Sequence, residues 1–246
     1  QCKNEIHNIL QRANIKLTSY LSDIYGITGI TLLEMFIDGE VITEQTILPK
    51  IHGKVKATAA ELVEAMDGKL SFEDRFLLGQ SLEHYRHSVN QVEEITVVIK
   101  QYVLERFERE YNLLIELPGV SAIVACVILS EIGPNVEAFK SQGNLASWAG
   151  VCPGSYESAG IKKSSHTTQG NKYLKSILFQ AGGTAVRSKD EAFHNLYARI
   201  SGRSSKMKAI IACAHKMIRV IYKILSTGEH YDAKKALGLR QQARAN

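Results

Sequence analysis

From Leu78 onward the apolar positions recur in a regular helical rhythm. Leu78, Leu82, Tyr85, Val89, Val92, Thr96, Ile99 and Val103 lie 4, 3, 4, 3, 4, 3 and 4 residues apart, a heptad seam broken only by a threonine. Such a seam has to be covered by another helix. Two coverings are open, a second copy of the chain or residues 1–66 folded back on it. Those early residues read as shorter helices with tight breaks. Ile6, Leu10, Ala13 and Leu17 form one stripe, Asp23 to Gly29 is a glycine-containing turn, and Ile30 to Phe36 is short and apolar. Lys54 to Met66 is helical up to Asp67-Gly68. None of these pieces alternates as a strand.

The long helix runs through Phe107, Leu113 and Leu114 to Pro118-Gly119, and a second helix follows from Ser121 to Ile132. This is the pattern of a helix-hairpin-helix, whose turn can present backbone N–H groups to a phosphate. Gly119 is thereby a candidate nucleic-acid contact. The same Pro-Gly pair also fits a plain turn between core helices, because the second helix is apolar nearly all round. Phe139, Leu145 and Trp148 make a short apolar element ending at Gly150, and the apolar neighbours of Trp148 favour a core anchor over a base-stacking platform. Further helical patterns begin at Tyr173 and near Phe193, and the last runs from about Ser205 to Leu225.

Between these helices lies the polar stretch Val151 to Leu178, with three glycines and six serines and threonines from Ser155 to Thr168. A loop of this length without its own periodicity is functional or disordered. The whole chain has 246 residues, 45% hydrophobic and 22% charged, which is the composition of a folded protein. Its net charge of +5 is modest, so a nucleic-acid partner requires clustered cations. Arg203, Lys206, Lys208, Lys216, Arg219 and Lys223 supply such a run with almost no intervening acid. Lys234, Lys235, Arg240 and Arg244 read as a mobile basic tail. The four cysteines are too far apart for a paired metal motif and fit a reducing cytosol. Val120 to Leu129, the longest apolar run, is about half a membrane span. The opening QCKNEIHNIL is already in helical rhythm without a methionine, and leads to the expectation of a missing upstream segment.

No metalloprotease, phosphate-loop, nucleophile-elbow or zinc motif is present. A serine attacking a phosphodiester needs an exposed hydroxyl, cations or backbone donors for the non-bridging oxygens, and a proton acceptor. Ser158 stands before the flexible pair Ala159-Gly160 and is followed by Lys162, Lys163 and His166. By composition alone, Ser155, Ser158, Ser164, Ser165, Thr167 and Thr168 serve equally as turn or cap residues.

Three segments change that balance. LIELPGVSAIVACVILSEIG, AFKSQGNLASWAGVCPGSYESAG and TTQGNKYLKSILFQAG, in this order, resemble the carboxy-terminal transposase domain of the IS110/IS116/IS902 family of insertion-sequence recombinases. KNEIHNIL and DIYGITG are similar to the region that precedes that domain, so the resemblance covers nearly the entire chain. It implies a serine that links covalently to DNA, and the matching residue is Ser158, in Tyr156-Glu157-Ser158. The family's glycine after the serine is displaced here by one position, as Ala159-Gly160. The resemblance also implies an amino-terminal RuvC-like domain whose DEDD acids bind divalent metal (Mg2+), a helical coiled-coil region, and a structured guide RNA. No acid set in this chain replaces the DEDD domain, so the chain alone is expected to be an incomplete catalyst without a metal site of its own.

The expected protein is thus mainly α: a helical linker and coiled-coil region over 1–110, a compact helical transposase domain with a helix-hairpin-helix-like element over 111–230, and a basic tail over 231–246. Expected partners are DNA, a guide RNA and further copies of the chain in a dimer or tetramer, with no membrane, in a prokaryotic cytoplasm at the nucleoid. Ser158 is the expected nucleophile, and Gly119, Lys162, Lys163, His166, Lys172, Arg203, Lys206 and Lys208 are the expected nucleic-acid contacts. The competing expectation is a nucleic-acid-binding and oligomerisation module that does no chemistry.

Overall fold

The computed structural model describes residues 2–154, 156–158, 161–164, 167 and 169–238, with the backbone alone for 156–158 and 161–164. The described chain is mainly α-helical and divides into two compact units, 1–94 and 95–246. The division falls within the long helix, and the sequence boundary at 110 lies inside the second unit.

The first unit holds α1 (Cys2–Arg12), α2 (Leu17–Tyr20), α3 (Ile27–Asp38), α4 (Glu44–Ile47), α5 (Ala59–Ala65) and the start of α6 (Phe72–Ile115). The short helices begin where the sequence supplies caps. Thr43 with Thr46, and Thr58 with Glu61, form reciprocal capping boxes at α4 and α5. α3 stops at Gly39, whose φ of 69° is the left-handed conformation that glycine adopts without strain. Ile6, Leu17, Leu32, Leu33 and Leu62 are buried in one core together with Leu78 and Leu82 of α6. At its edge the Tyr25 hydroxyl donates to the Lys3 carbonyl (2.8 Å), and the Lys3 ammonium lies 4.4 Å from the Tyr25 ring. Burial pushes the Tyr25 hydroxyl up to about 12, so it stays a donor.

Residues 1–66 therefore cover Leu78 and Leu82 at the start of the heptad seam, and Val103 is buried in the core of the second unit. The middle of the seam is different. Val92 is 64% exposed and Ile99 46%, and Ile95, Val97, Val98 and Tyr102 beside them are open as well. The helical geometry departs from α at Phe107, which divides α6 before its last turns.

The second unit is built on α7 (Ala122–Ile132), α8 (Gln142–Trp148), α9 (Lys172–Arg187), α10 (Glu191–Ser201), α11 (Lys206–Thr227) and α12 (Ala233–Gly238). Ser121, Ser141, Asn171, Asp190 and Ser205 each accept a bond from a backbone N–H of the helix that follows, which fixes five helix starts. α11 occupies the centre, with Cys213, Met217, Ile218 and Ile221 fully buried against α8, α9 and α10. Gly182 lets α9 approach it closely: a Cβ there would stand 3.0 Å from the Ala214 nitrogen. The chain beyond α11 is held in place as far as it is described. Glu116 accepts from the Tyr231 N–H and pairs with His230, while the Tyr231 hydroxyl donates to Asp190 (2.9 Å). Of the expected basic tail, residues 231–238 are described, and there Tyr231 and Ala236 bury apolar surface on this core. Arg240 and Arg244 lie outside the described residues.

Two short strands, β1 (Tyr156–Ser158) and β2 (Ile161–Ser164), form an antiparallel hairpin within the polar stretch. The sequence of that stretch shows no periodicity, since strands of three and four residues are too short to display one.

The turn between α6 and α7 explains its glycine. Gly119 has φ 85°, and a Cβ on it would lie 2.2 Å from the Ala181 carbonyl oxygen of α9. Gly119→Ala should lower stability by about 2–4 kcal/mol through left-handed strain and overpacking. Urea unfolding followed by circular dichroism measures this; an unchanged midpoint contradicts the packing.

Candidate nucleic-acid interface

The hairpin rises from a narrow stem. Gly150, with φ 69°, turns the chain out of α8, and Gly170 returns it so closely that a Cβ on Gly170 would meet the Gly150 nitrogen at 2.3 Å. The Asn171 N–H then donates to the Trp148 carbonyl (3.0 Å), and Pro153 and Thr167 form an antiparallel bridge one step further out. Asn171 anchors the return side twice more. Its side-chain oxygen caps α9 through the Tyr173 and Leu174 N–H groups, and its amide nitrogen bonds the Glu131 carboxylate of α7. Lys175 reaches back from α9 to the Thr167 hydroxyl (2.8 Å).

On this stem the backbone of Ser158 is the last residue of β1, opposite Ile161 across the hairpin, and Lys162 pairs with Glu157. Lys163 follows in β2. The side chains of Ser158, Lys162 and Lys163, and all of His166, lie outside the described structure. Lys172 opens α9 as an exposed side chain, its ammonium 4.9 Å from the Tyr173 ring centroid. Gly119 sits apart from the hairpin in sequence, and the close approach of α9 accounts for it.

The cations of α11 do not act as one stripe. Lys216 turns inward, donates to the Ala192 carbonyl (3.0 Å) and lies 5.8 Å from the Phe193 ring. Burial, ahead of the opposing pull of Asp190, holds the Lys216 ammonium below its usual range. Arg219 donates from Nε to the Gln142 side chain of α8 (3.1 Å). Arg203, Lys206 and Lys208 are exposed and have no ion-pair partner among the described residues. The first turn of α11 carries no acid, so its dipole adds positive potential to that of the lysines.

Three of the thiols are held in their protonated form. Burial pushes the Cys126 and Cys152 thiols up, and Cys213 to about 11, leaving them protonated at neutral pH. The described residues gather no group of three His, Cys, Asp or Glu suited to a metal ion. No helix among them is long and apolar enough to cross a membrane.

Residues 111–198 match the sequence model of the family described as Transposase IS116/IS110/IS902. Over 155 residues the chain is 28% identical to "Putative transposase y4pF/y4sB" of Sinorhizobium fredii, a match spanning 61% of this chain and 39% of that protein. The two matches support the family assignment that the sequence motifs imply, and the matched part is less than half the length of that relative.

His215, one turn before Arg219 on α11, is held below its usual value, first by burial and then by the Arg219 charge. The unfolded chain therefore takes up the proton first as pH falls through about 6.5. Stability should drop below that pH and level off below the lower folded value. His215→Gln should lessen the drop between pH 7 and 5 in urea titrations; an identical pH dependence contradicts the assignment.

Proposed function

We propose that this chain is the nucleic-acid-binding and oligomerisation part of an insertion-sequence transposase. The observation that carries this reading is the apolar stripe of α6 around Val92, Ile95 and Ile99, left open while Leu78 and Leu82 before it and Val103 after it are buried. A contiguous apolar surface of this kind marks a protein interface. The stripe continues into an apolar groove of about 510 Å³ between α6 and α7, lined by Ile99, Tyr102, Phe107 and Ile123 among others. Helices of two or more copies, in a dimer or tetramer, are its proposed cover. Arg203, Lys206 and Lys208 provide the proposed contact with DNA phosphates, together with Lys172 beside the hairpin. A structured RNA and a prokaryotic nucleoid setting belong to the same proposal through the family likeness.

A second reading, covalent catalysis, rests on the family likeness that singles out Ser158, the last residue of β1. In it the Ser158 oxygen bonds to phosphorus while the P–O bond to the departing strand end breaks. The Ser158 proton ends on the departing oxygen as its hydroxyl proton, and the reverse attack rejoins the strands. Lys162, Lys163 and His166 would steady the phosphate, and an acidic domain with Mg2+ would be supplied from outside these residues.

Replacing Val92 and Ile99 together by Lys should convert oligomers to monomers in analytical ultracentrifugation; oligomers of unchanged size contradict the interface. Neutralising Arg203, Lys206 and Lys208 should weaken duplex binding and flatten the plot of log affinity against log salt by about 0.9 for each phosphate no longer neutralised. An unchanged slope removes these cations from the interface. With the acidic domain present and a nicked DNA substrate, Ser158→Ala should abolish the protein–DNA adduct, and an undiminished adduct refutes the catalytic reading.

A further inference from the structure

Trp148 fits the core less well than the apolar character of its neighbours predicts. Leu145, Ala146, Ala149 and Val151 are buried, but Trp148 at the end of α8 is 40% exposed. Its ring is fixed from one side by Phe139, with centroids 5.4 Å apart. Tyr173, in the first turn of α9, is 61% exposed, and its hydroxyl has no hydrogen-bond partner among the described residues. These two rings belong to the two sides of the hairpin stem, because Asn171, two residues before Tyr173, donates to the Trp148 carbonyl.

We infer that Trp148 and Tyr173 form a stacking site for an unpaired nucleobase of a DNA strand at the foot of the β1–β2 hairpin. The inference rests on the nucleic-acid reading above and adds to it the part of the nucleic acid that this surface takes. The chemistry of the surroundings selects the ligand. An apolar protein partner needs contiguous aliphatic surface, yet the aliphatic neighbours of Trp148, and Leu174 next to Tyr173, are buried. What is left open is aromatic faces with cations alongside: Lys172 against the Tyr173 ring, and exposed Lys140 next to Phe139 in the chain. Glu131, the carboxylate at the stem, is engaged by the Asn171 amide. Aromatic faces with flanking cations bind single strands, the rings stacking on bases and the ammonium groups meeting phosphates. A base inside a duplex has both faces covered by its neighbours, so the site takes an unpaired one.

Trp148 is the only tryptophan in the chain, so its emission reports on this site directly. The intact chain is titrated with a single-stranded deoxyoligonucleotide and with an abasic strand of equal length, and binding is followed in parallel by anisotropy of a labelled strand. The base-bearing strand should quench Trp148 emission and the abasic strand should not. Tyr173→Ala should weaken binding of the base-bearing strand about tenfold, with Tyr173→Phe restoring it and thermal unfolding of both variants unchanged. Strand binding without quenching, or equal quenching by the abasic strand, overturns the stacking site and leaves the nucleic-acid reading standing. Failure of every strand and duplex to bind overturns that reading, and the site with it.

Discussion

The contact on which the polar hairpin of the second unit depends is the approach of Gly170 to Gly150. At this distance Gly170 has no room for a Cβ, and Gly150 is in the left-handed region. The approach lets the Asn171 N–H reach the Trp148 carbonyl, so that a long polar excursion leaves and re-enters the helical core at almost one point. Loop closure over such a length costs conformational entropy. The bonds gathered at Asn171, to α7, to the start of α9 and to the end of α8, offset that cost.

The same competition for partners divides the charge of α11. Residues of that helix that face the core are committed: Lys216 to the Ala192 carbonyl, Arg219 to Gln142, and Cys213 to the Phe193 carbonyl as a protonated thiol. Arg203, Lys206 and Lys208 stand uncommitted at its first turn and the preceding residues, where the helix dipole has the same sign, and Lys223 near its other end is exposed as well. A cationic surface thus arises from what packing does not use. The open stripe on α6 follows the same logic in apolar form, since its two ends are consumed by cores and its middle is not.

Much of the fold is legible in the sequence. The helices of the second unit begin at the residues where capping side chains stand, and the seam from Leu78 to Val103 is one helix as its spacing requires. The hairpin is not legible, because seven strand residues in a serine-rich stretch carry too little pattern. Nor is the partition of the basic run: sequence shows Lys216 and Arg219 as charges, and only tertiary packing supplies the carbonyl and amide that take them. The neighbours of Trp148 mislead about it, because Leu145 and Ala149 are buried while the side chain at the helix end emerges beside them. The tail beyond residue 230 reads as basic and loose, and the docking of Tyr231 on Asp190 depends on a residue 41 positions away. Ser158 is singled out by family likeness, and its backbone place at the end of β1 adds the scaffold beneath it.

The central claim is that this hairpin stands on a stem fixed to the helical core. Hydrogen exchange of the Asn171 amide tests it most directly, because that single N–H closes the stem onto Trp148. The account predicts protection equal to that of the Leu178 amide in α9. Exchange of Asn171 at the rate of an unstructured peptide, with Leu178 still protected, would contradict it.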